Sequence, residues 1–201
     1  MRLILLLIVF LFFSCRGEKR YEDFNLTEYQ RQVNNYFKDA SVSPLKTKDL
    51  KNFKGLDFFE FDSSYVVYAK IQKTPNSLPF KMKTTTNMPA DFRMYGKLIF
   101  NLNDEQHSLT VYENLDYVGV DGYENYLFLP FLDHTNGYET YGGGRYIDLY
   151  QYDSDSILIN FNRAYNPKCV YDENFSCPIV PRDNLLNLRV EAGVKNFVKN
   201  Y

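Results

Sequence analysis

The apolar residues that follow residue 26 have the period of an amphipathic helix. Four of them recur at the i, i+4, i+7 and i+8 spacing of one helix face, and these are Tyr29, Val33, Tyr36 and Phe37. Thr27 is placed to cap this helix, Gln30 to complete a capping box, and Ser43–Pro44 to end it. A second, shorter helix is predicted over residues 47–53, with Gly55 as its stop.

From residue 65 onward the pattern changes to short β-branched and aromatic segments, which are typical of β-strands. In the longest segment Leu98, Phe100 and Leu102 alternate with other residues and therefore share one face. Strands are predicted over residues 65–71, 92–102, 109–111, 126–131, 146–152, 156–161 and 186–190.

Turn residues between these segments predict two antiparallel pairs. Asn103–Gln106 would join residues 92–102 to the strand at 109–111, and Asp153–Asp155 would join residues 146–152 to residues 156–161. Many short strands with frequent turns indicate a mainly β fold. We expect an antiparallel sandwich or a curved, barrel-like sheet, with the amphipathic helix at its N-terminal side, as a single domain.

The first fifteen residues have the features of an export signal. Leu3–Phe13 is an unbroken apolar run of eleven residues. As a helix it would span roughly 16 Å, too short for a bilayer core of about 30 Å. The run ends at Ser14–Cys15, which is similar to a lipobox, although Phe12 and Phe13 are bulkier than usual. The alternative is an ordinary secretory signal followed by a fortuitous cysteine.

Cleavage and lipidation at Cys15 would anchor the chain by acyl chains such as palmitate. Residues 16–26 are charged and polar and would form a tether, and residues 27–201 would form the β-rich domain. The expected location is the cell envelope, with the exported domain on the periplasmic or surface side. The membrane would be contacted through the lipid.

Charge and composition exclude some partners. The full chain has 23 Lys and Arg against 25 Asp and Glu, so it lacks the basic excess that nucleic acid or an anionic membrane surface would attract. Tyr and Phe are abundant, with 18 and 17 residues, while Trp is absent. We interpret these aromatic residues as bulky core in preference to a sugar-stacking surface.

Two further cysteines, Cys169 and Cys177, are separated by seven residues. In an exported domain this spacing predicts a disulfide. A zinc site is the weaker alternative, since the other available ligands are His107 and His134, in unrelated contexts. A redox-active Cys169 would need a lowered pKa and a resolving partner.

A set of motifs lies in residues 128–148, 160–171, 176–178, 184–185 and 191–195, and in the opening segments 43–45, 53–56 and 92–96. Together they resemble a known bacterial family, the domain of unknown function 1684, and the resemblance covers nearly the whole chain after the export signal. Asn160 departs from the family pattern, because many members have an acidic residue there. The family has no established activity, so the resemblance implies a fold and leaves the function open.

Residues 141–148 are the leading candidate for a binding site. Three successive glycines, Gly142, Gly143 and Gly144, would allow positive φ and form a nest of amides for an anion. Arg145 would pair with a carboxylate or phosphate. The alternative is structural: the glycines make a tight connection, and Arg145 forms a buried salt bridge with Asp148 or Asp133.

A second segment, residues 162–167, is irregular and rich in Asn. It would be a loop held against the sheet, and it could also line a pocket together with Arg145. The candidate ligand-binding residues are therefore Tyr141, Gly142, Gly143, Gly144, Arg145, Asp148, Asn162, Arg163, Tyr165 and Asn166.

Signatures of catalysis are weak in this chain. Asp133, His134 and Glu139 are the candidate acid, base or metal-binding residues. A nucleophile elbow, a Walker loop, a zinc-protease motif and a dinucleotide fingerprint are all missing from the sequence. The leading hypothesis is a non-catalytic lipoprotein that binds a small anionic ligand or a protein partner and needs no cofactor. The alternatives are a hydrolase that uses Asp133 and Glu139, and a metal site formed by Asp133, His134 and Glu139.

Overall fold

A computed structural model describes residues 26–152 and 154–198 of the chain. The export signal, Cys15, most of the tether and the side chain of Thr27 lie outside the described residues. Within the two described ranges, no helix is both long and apolar enough to cross a membrane.

From residue 26 onward, two helices precede the sheet, as the sequence predicts. The first, α1, spans Leu26–Lys38, and α2 spans Thr47–Leu50, which is shorter than the predicted 47–53. Phe37 on α1 is buried in a small cluster with Leu45 and Tyr171. Asn34, also on α1, accepts a hydrogen bond from the Leu56 amide at 2.8 Å through its side-chain oxygen. These contacts hold the helix against the rest of the domain.

In the described part of the chain, seven strands form one antiparallel sheet. They are β1 (Val66–Lys73), β2 (Phe80–Met82), β3 (Ala90–Leu102), β4 (Glu105–Asn114), β5 (Tyr126–Phe131), β6 (Arg145–Tyr150) and β7 (Ser156–Asn160). The order across the sheet is β6-β5-β4-β3-β1-β7, and β2 pairs with β3. The sheet curls into a half-barrel, which confirms the predicted mainly β fold.

The predicted hairpin between β3 and β4 is confirmed. Asn103 and Asp104 form its two-residue turn with φ values of 53° and 60°. Positive φ at both central residues matches the right-handed twist of the flanking strands, which is why such turns favour Asn and Asp.

The predicted pairing of β6 with β7 is wrong. The two strands lie at opposite ends of the sheet, where β6 pairs with β5 and β7 pairs with β1. After β7 the chain returns to β6, and Tyr165 exchanges backbone hydrogen bonds of 2.9 and 3.0 Å with Tyr146. This bridge brings the two ends of the curled sheet together.

The predicted strand at 186–190 is also wrong. Leu185 forms an isolated parallel bridge with Leu132 instead, and the Leu186 amide donates to the Leu132 carbonyl at 2.8 Å. The C-terminal segment is therefore an irregular strap that crosses the end of β5.

The strands of the half-barrel alternate between two faces, as the period of a β-strand requires. The interior face carries the main core, to which β5 contributes Leu127, Leu129 and Phe131 and β6 contributes Ile147 and Leu149. The intervening residues of β5 and β6 point to the outer face. That outer face carries a second apolar cluster, which includes Phe128 and Tyr146.

Candidate functional site

A cavity of about 360 Å³ lies on the outer face of β5 and β6. Tyr126 of β5 and Asp148 and Tyr150 of β6 line it, because the alternation of each strand points these residues away from the core. Val33 and three aromatic residues of α1 cover it from one side. Residues of the loop after β4 and of the segment after β7 complete its wall.

Tyrosine side chains dominate this cavity, which we call the tyrosine pocket. Eight of them line it: Tyr29, Tyr36, Tyr117, Tyr123, Tyr126, Tyr150, Tyr165 and Tyr171. The ring centroids of Tyr117 and Tyr123 are 4.4 Å apart, and each lies within 5.6 Å of the Tyr126 ring. Tyr150 adds a fourth ring at 5.9 Å from Tyr126. These four rings form one contiguous aromatic wall.

Asp148 places a carboxylate among these rings. Its Oδ1 atom accepts hydrogen bonds from the hydroxyls of Tyr165, at 2.6 Å, and Tyr126, at 2.9 Å. Within residues 26–152 and 154–198, no hydrogen bond and no ion pair engages the second oxygen, Oδ2. Solvent reaches Asp148 through the mouth of the pocket. The carboxylate therefore has one oxygen held by the protein and one that a ligand can approach.

The protein surroundings change the protonation of this group. Burial raises the pKa of Asp148. The hydrogen bonds from Tyr165 and Tyr126 and the charge of Lys168 offset only part of this effect. Asp148 is accessible to water and yet enclosed, as expected for a residue on the floor of a concave pocket. Burial, followed by the charge of Asp148, raises the pKa of Tyr126 and Tyr165 well above the ordinary value. Both phenols therefore stay protonated and donate at neutral pH.

Two positively charged side chains near the pocket each contact an aromatic ring. The Lys168 ammonium, which borders the pocket, lies 5.8 Å from the centroid of the Phe175 ring. The Arg163 guanidinium stacks at 4.9 Å from the ring of Tyr29, whose hydroxyl donates to the Arg163 carbonyl at 3.1 Å. Arg163 thus helps to hold α1 over the pocket.

Arg145 lies on the other face of β6, inside the half-barrel, and is completely buried. Its Nη2 atom donates to Asp133 Oδ2 at 2.9 Å and to the Val190 carbonyl at 2.8 Å, and Nη1 donates to the Ala192 carbonyl. The Phe131 ring packs 5.3 Å from the guanidinium. Arg145 therefore ties the C-terminal strap to the core.

Asp133 completes this buried cluster. Its Oδ1 atom accepts hydrogen bonds from the amide and hydroxyl of Thr135, at 2.8 and 2.6 Å, and from the Val190 amide at 3.1 Å. Of the two salt bridges considered for Arg145, the one with Asp133 forms. The one with Asp148 does not, because residues three apart on a strand point to opposite faces.

The glycine segment differs from the expected nest. Gly144 has a positive φ, at 90°, whereas Gly142 and Gly143 do not. A Cβ atom on Gly144 would lie 2.6 Å from the carbonyl oxygen of Phe131, so this residue is required for close approach to β5. A Cβ atom on Gly143 would collide with the ring of Tyr141, which covers it. The segment has the geometry of a tight connection.

The three candidate catalytic residues lie in different environments. Asp133 is buried in the cluster with Arg145, whereas His134 and Glu139 are exposed. Glu139 accepts a hydrogen bond from Arg189 at 2.5 Å, which lowers its pKa. In the described part of the chain, no three His, Cys, Asp or Glu side chains converge as metal ligands, so the proposed metal site at Asp133, His134 and Glu139 does not form.

The two cysteines are adjacent and carry free thiols in the structure. The Cys169 amide donates to Cys177 Sγ at 3.1 Å. A hydrogen bond from the Cys177 thiol, assisted by Thr85 and Tyr141, lowers the pKa of Cys169 to about 7, although burial opposes this. The same interaction raises the pKa of Cys177. Cys169 therefore loses its proton more readily than Cys177 does. The predicted disulfide stays a prediction.

Comparison with known proteins places the domain in a family. The family described as a protein of unknown function, DUF1684, matches residues 51–195. The chain belongs to the DUF1684 family. A solved structure similar to this DUF1684 chain is the solution NMR structure of an uncharacterized protein from Haloarcula marismortui. It is 29% identical, with a TM-score of 0.66, and the match covers 85% of this chain and 91% of that one. No curated protein matches the chain.

The region matched to DUF1684 contains the whole sheet, the Arg145 cluster and the floor of the tyrosine pocket. It does not contain α1, which covers the pocket, because α1 ends at Lys38. Of the residues singled out from the sequence, Asp148, Tyr165 and Asn166 line the pocket. Asn162 lies elsewhere, where its side chain donates to the Asp62 carbonyl at 2.8 Å.

Most of the pocket tyrosines are absent from the sequence-based candidates. The abundance of Tyr and Phe in the sequence favours interpreting these side chains as bulky core. The available signal was the alternation in β6, in which Tyr146, Asp148 and Tyr150 share one face. A carboxylate flanked by tyrosines on one strand face is an unusual composition for a solvated surface.

Proposed function

We propose that this protein is a non-catalytic binding protein whose small-molecule ligand occupies the tyrosine pocket. The observation that carries this proposal is the approachable oxygen of Asp148 on the floor of an aromatic cavity. Ligand sites are concave, largely apolar and equipped with a few polar groups that orient the ligand. The tyrosine pocket combines these properties, and its volume of about 360 Å³ suits a small molecule.

The position of Arg145 argues for this pocket over the glycine segment. An anionic ligand at Gly142–Arg145 would need to reach a guanidinium that is enclosed in the core and bonded to Asp133. In the tyrosine pocket, an anion would meet the carboxylate of Asp148. We therefore propose that the ligand binds on the outer face of β6 and not at the glycine segment.

The pocket proposal is tested by filling the cavity from α1. Val33→Trp places a large side chain in the pocket, and Val42→Trp, at a position that is 50% exposed outside the pocket, is the matched control. The full chain and both variants are screened by thermal shift against cationic, anionic and neutral small molecules. A ligand at a hundredfold its Kd stabilises by about 2.7 kcal/mol, or several degrees.

The expected result is a compound that stabilises the wild type and Val42→Trp but not Val33→Trp. If every stabilising compound acts equally on all three proteins, the ligand site lies elsewhere. If no compound in any of the three charge classes shifts the melting temperature, the pocket proposal is also contradicted.

We further propose that the protein is exported and held in the cell envelope by a lipid on Cys15. The support is the apolar run of Leu3–Phe13 followed by Ser14–Cys15. Two or more acyl chains would give the stable membrane attachment that one chain does not. Metabolic labelling with an alkyne-bearing palmitate should mark the wild type and not Cys15→Ser. Equal labelling of the two proteins would refute lipidation at this residue.

A further inference from the structure

We infer that the ligand of the tyrosine pocket is a small organic cation, whose positively charged nitrogen lies between the tyrosine rings and the Oδ2 atom of Asp148. This inference rests on the proposed function, since it assigns the chemistry of the ligand in that same pocket. It is carried by the charge of the pocket floor, the arrangement of the rings and the positions of the nearby cations.

The charge of the pocket floor favours a positive ligand. Among the described residues that line the cavity, Asp148 supplies the only carboxylate. Both hydroxyl donors use the same oxygen, Oδ1, and no ion pair engages the group in the described ranges. Lys168 acts on this carboxylate through its charge but forms no ion pair with it, so a bound cation would supply the direct contact that the group lacks. The free oxygen is thus the natural partner of a ligand ammonium.

The rings favour a positive ligand for an independent reason. The faces of aromatic rings attract cations, and several rings around one position form the cages that bind quaternary ammonium groups. Tyr117, Tyr123 and Tyr126 have ring centroids within 5.6 Å of one another, and Tyr150 extends the group. Tyr126 belongs to both features, because its ring is in the wall and its hydroxyl holds Asp148.

The protein's own cations do not fill this role. Among the described lining residues Lys168 is the only basic one, and its ammonium lies over the Phe175 ring, close enough to Asp148 to lower the pKa of that carboxyl without forming an ion pair. Arg163 is stacked on Tyr29. The aromatic wall and Asp148 therefore present negative potential that the described residues leave without an ion-paired partner.

The inference is tested by calorimetric titration of the full chain with choline and with 3,3-dimethylbutan-1-ol. These two molecules have nearly the same shape, but the second has carbon in place of the charged nitrogen. Choline should bind in the pocket at least tenfold more tightly than the neutral alcohol. Equal affinity for the two molecules would overturn the inference and leave a neutral ligand in the same pocket.

Two pairs of variants separate the contributions of charge and rings. Asp148→Asn keeps an acceptor for both phenols and removes the charge, and it should weaken choline binding at least tenfold. Asp104→Asn, in the exposed β3–β4 turn, is the matched control. Tyr123→Leu removes a ring of the wall and should weaken binding several-fold, whereas Tyr123→Phe keeps the ring and should bind choline like the wild type.

The outcomes also separate this inference from the proposed function. Retention of choline affinity in Asp148→Asn or in Tyr123→Leu overturns the organic-cation assignment. The Val33→Trp variant reports on the pocket itself, because it blocks any ligand there. If Val33→Trp blocks a neutral compound while choline fails to bind the wild type, the pocket proposal stands and the cation assignment falls. Thermal unfolding of each variant confirms that it is folded.

Discussion

Replacement of Arg145 by alanine should destabilise the protein strongly. The variant leaves the Asp133 carboxylate in the core without its cation, and it removes the donor to the carbonyl of Val190. Breaking a buried ion pair by removing one partner costs about 3–5 kcal/mol. For a domain of this size, that loss lowers the melting temperature by roughly 6–20 °C.

The assay is equilibrium unfolding in urea followed by far-ultraviolet circular dichroism, because the chain has no Trp to report by fluorescence. Arg189→Ala is the matched control. Arg189 also pairs with acidic residues, but its side chain is 43% exposed, and exposed pairs contribute little to stability. The control should unfold close to the wild type.

A double-mutant cycle isolates the interaction between Arg145 and Asp133. Asp133→Ala should also destabilise, and the double variant should lose much less stability than the sum of the two single losses. The reasoning is refuted if Arg145→Ala unfolds like Arg189→Ala, or if the two losses add. Either result would mean that the buried pair does not hold the strap to the core.

Three further predictions concern the glycine segment, the thiols and the pocket. Gly144→Ala should destabilise by at least about 1–2 kcal/mol in urea unfolding, because its φ is 90°. Gly142→Ala should not, because its φ is not positive and a Cβ atom there would make only ordinary van der Waals contacts. Iodoacetamide should alkylate Cys169 before Cys177, at a rate that rises as the pH passes about 7. In a separate, unalkylated sample, mild oxidation should join Cys169 and Cys177 in a disulfide, which mass spectrometry of the unreduced chain would show as the loss of two hydrogen atoms. Choline affinity, measured by calorimetry, should fall as the pH decreases through the raised pKa of Asp148, because the protonated carboxyl loses its negative charge while the phenols of Tyr126 and Tyr165 stay neutral. Equal stability of the two glycine variants would contradict the first prediction, and alkylation of Cys177 before Cys169 would contradict the second. A choline affinity that does not change with pH would contradict the third.

The strand pattern of the sequence predicts most of the sheet because alternation is a local property. β3, β5 and β7 lie within a few residues of their predicted bounds, and the turn at Asn103–Asp104 forms as its residues indicate. The short strand β2 was missed, since three residues carry too little pattern. The predicted pairing of β6 with β7 is wrong because the turn residues between them are a local signal, whereas β7 pairs with β1, which is distant in the sequence. The Asp155 carbonyl accepts from the Ile71 amide of β1 at 2.8 Å.

The candidate site was only partly predictable. The sequence indicates Asp148 and Tyr165 as ligand-binding candidates, but it predicts one site for them and Arg145. In the structure, Arg145 lies on the opposite face of β6 from Asp148. The alternation rule applied to Arg145 and Asp148 would have separated them from the sequence alone. The cover of the pocket by α1 depends on tertiary packing, such as the stacking of Arg163 on Tyr29, and the local pattern contains no signal for it.

The residues on the two faces of β6 thus have different roles, and this difference determines how binding experiments can be interpreted. Arg145, on the interior face, stabilises the barrel through Asp133 and the strap. Asp148, on the outer face, is held by two tyrosines at the floor of a cavity. A loss of binding in Arg145→Ala would follow from unfolding, whatever the ligand is. A loss of binding in Asp148→Asn at unchanged stability would instead report on the pocket, so only the outer-face residues can reveal what this protein binds.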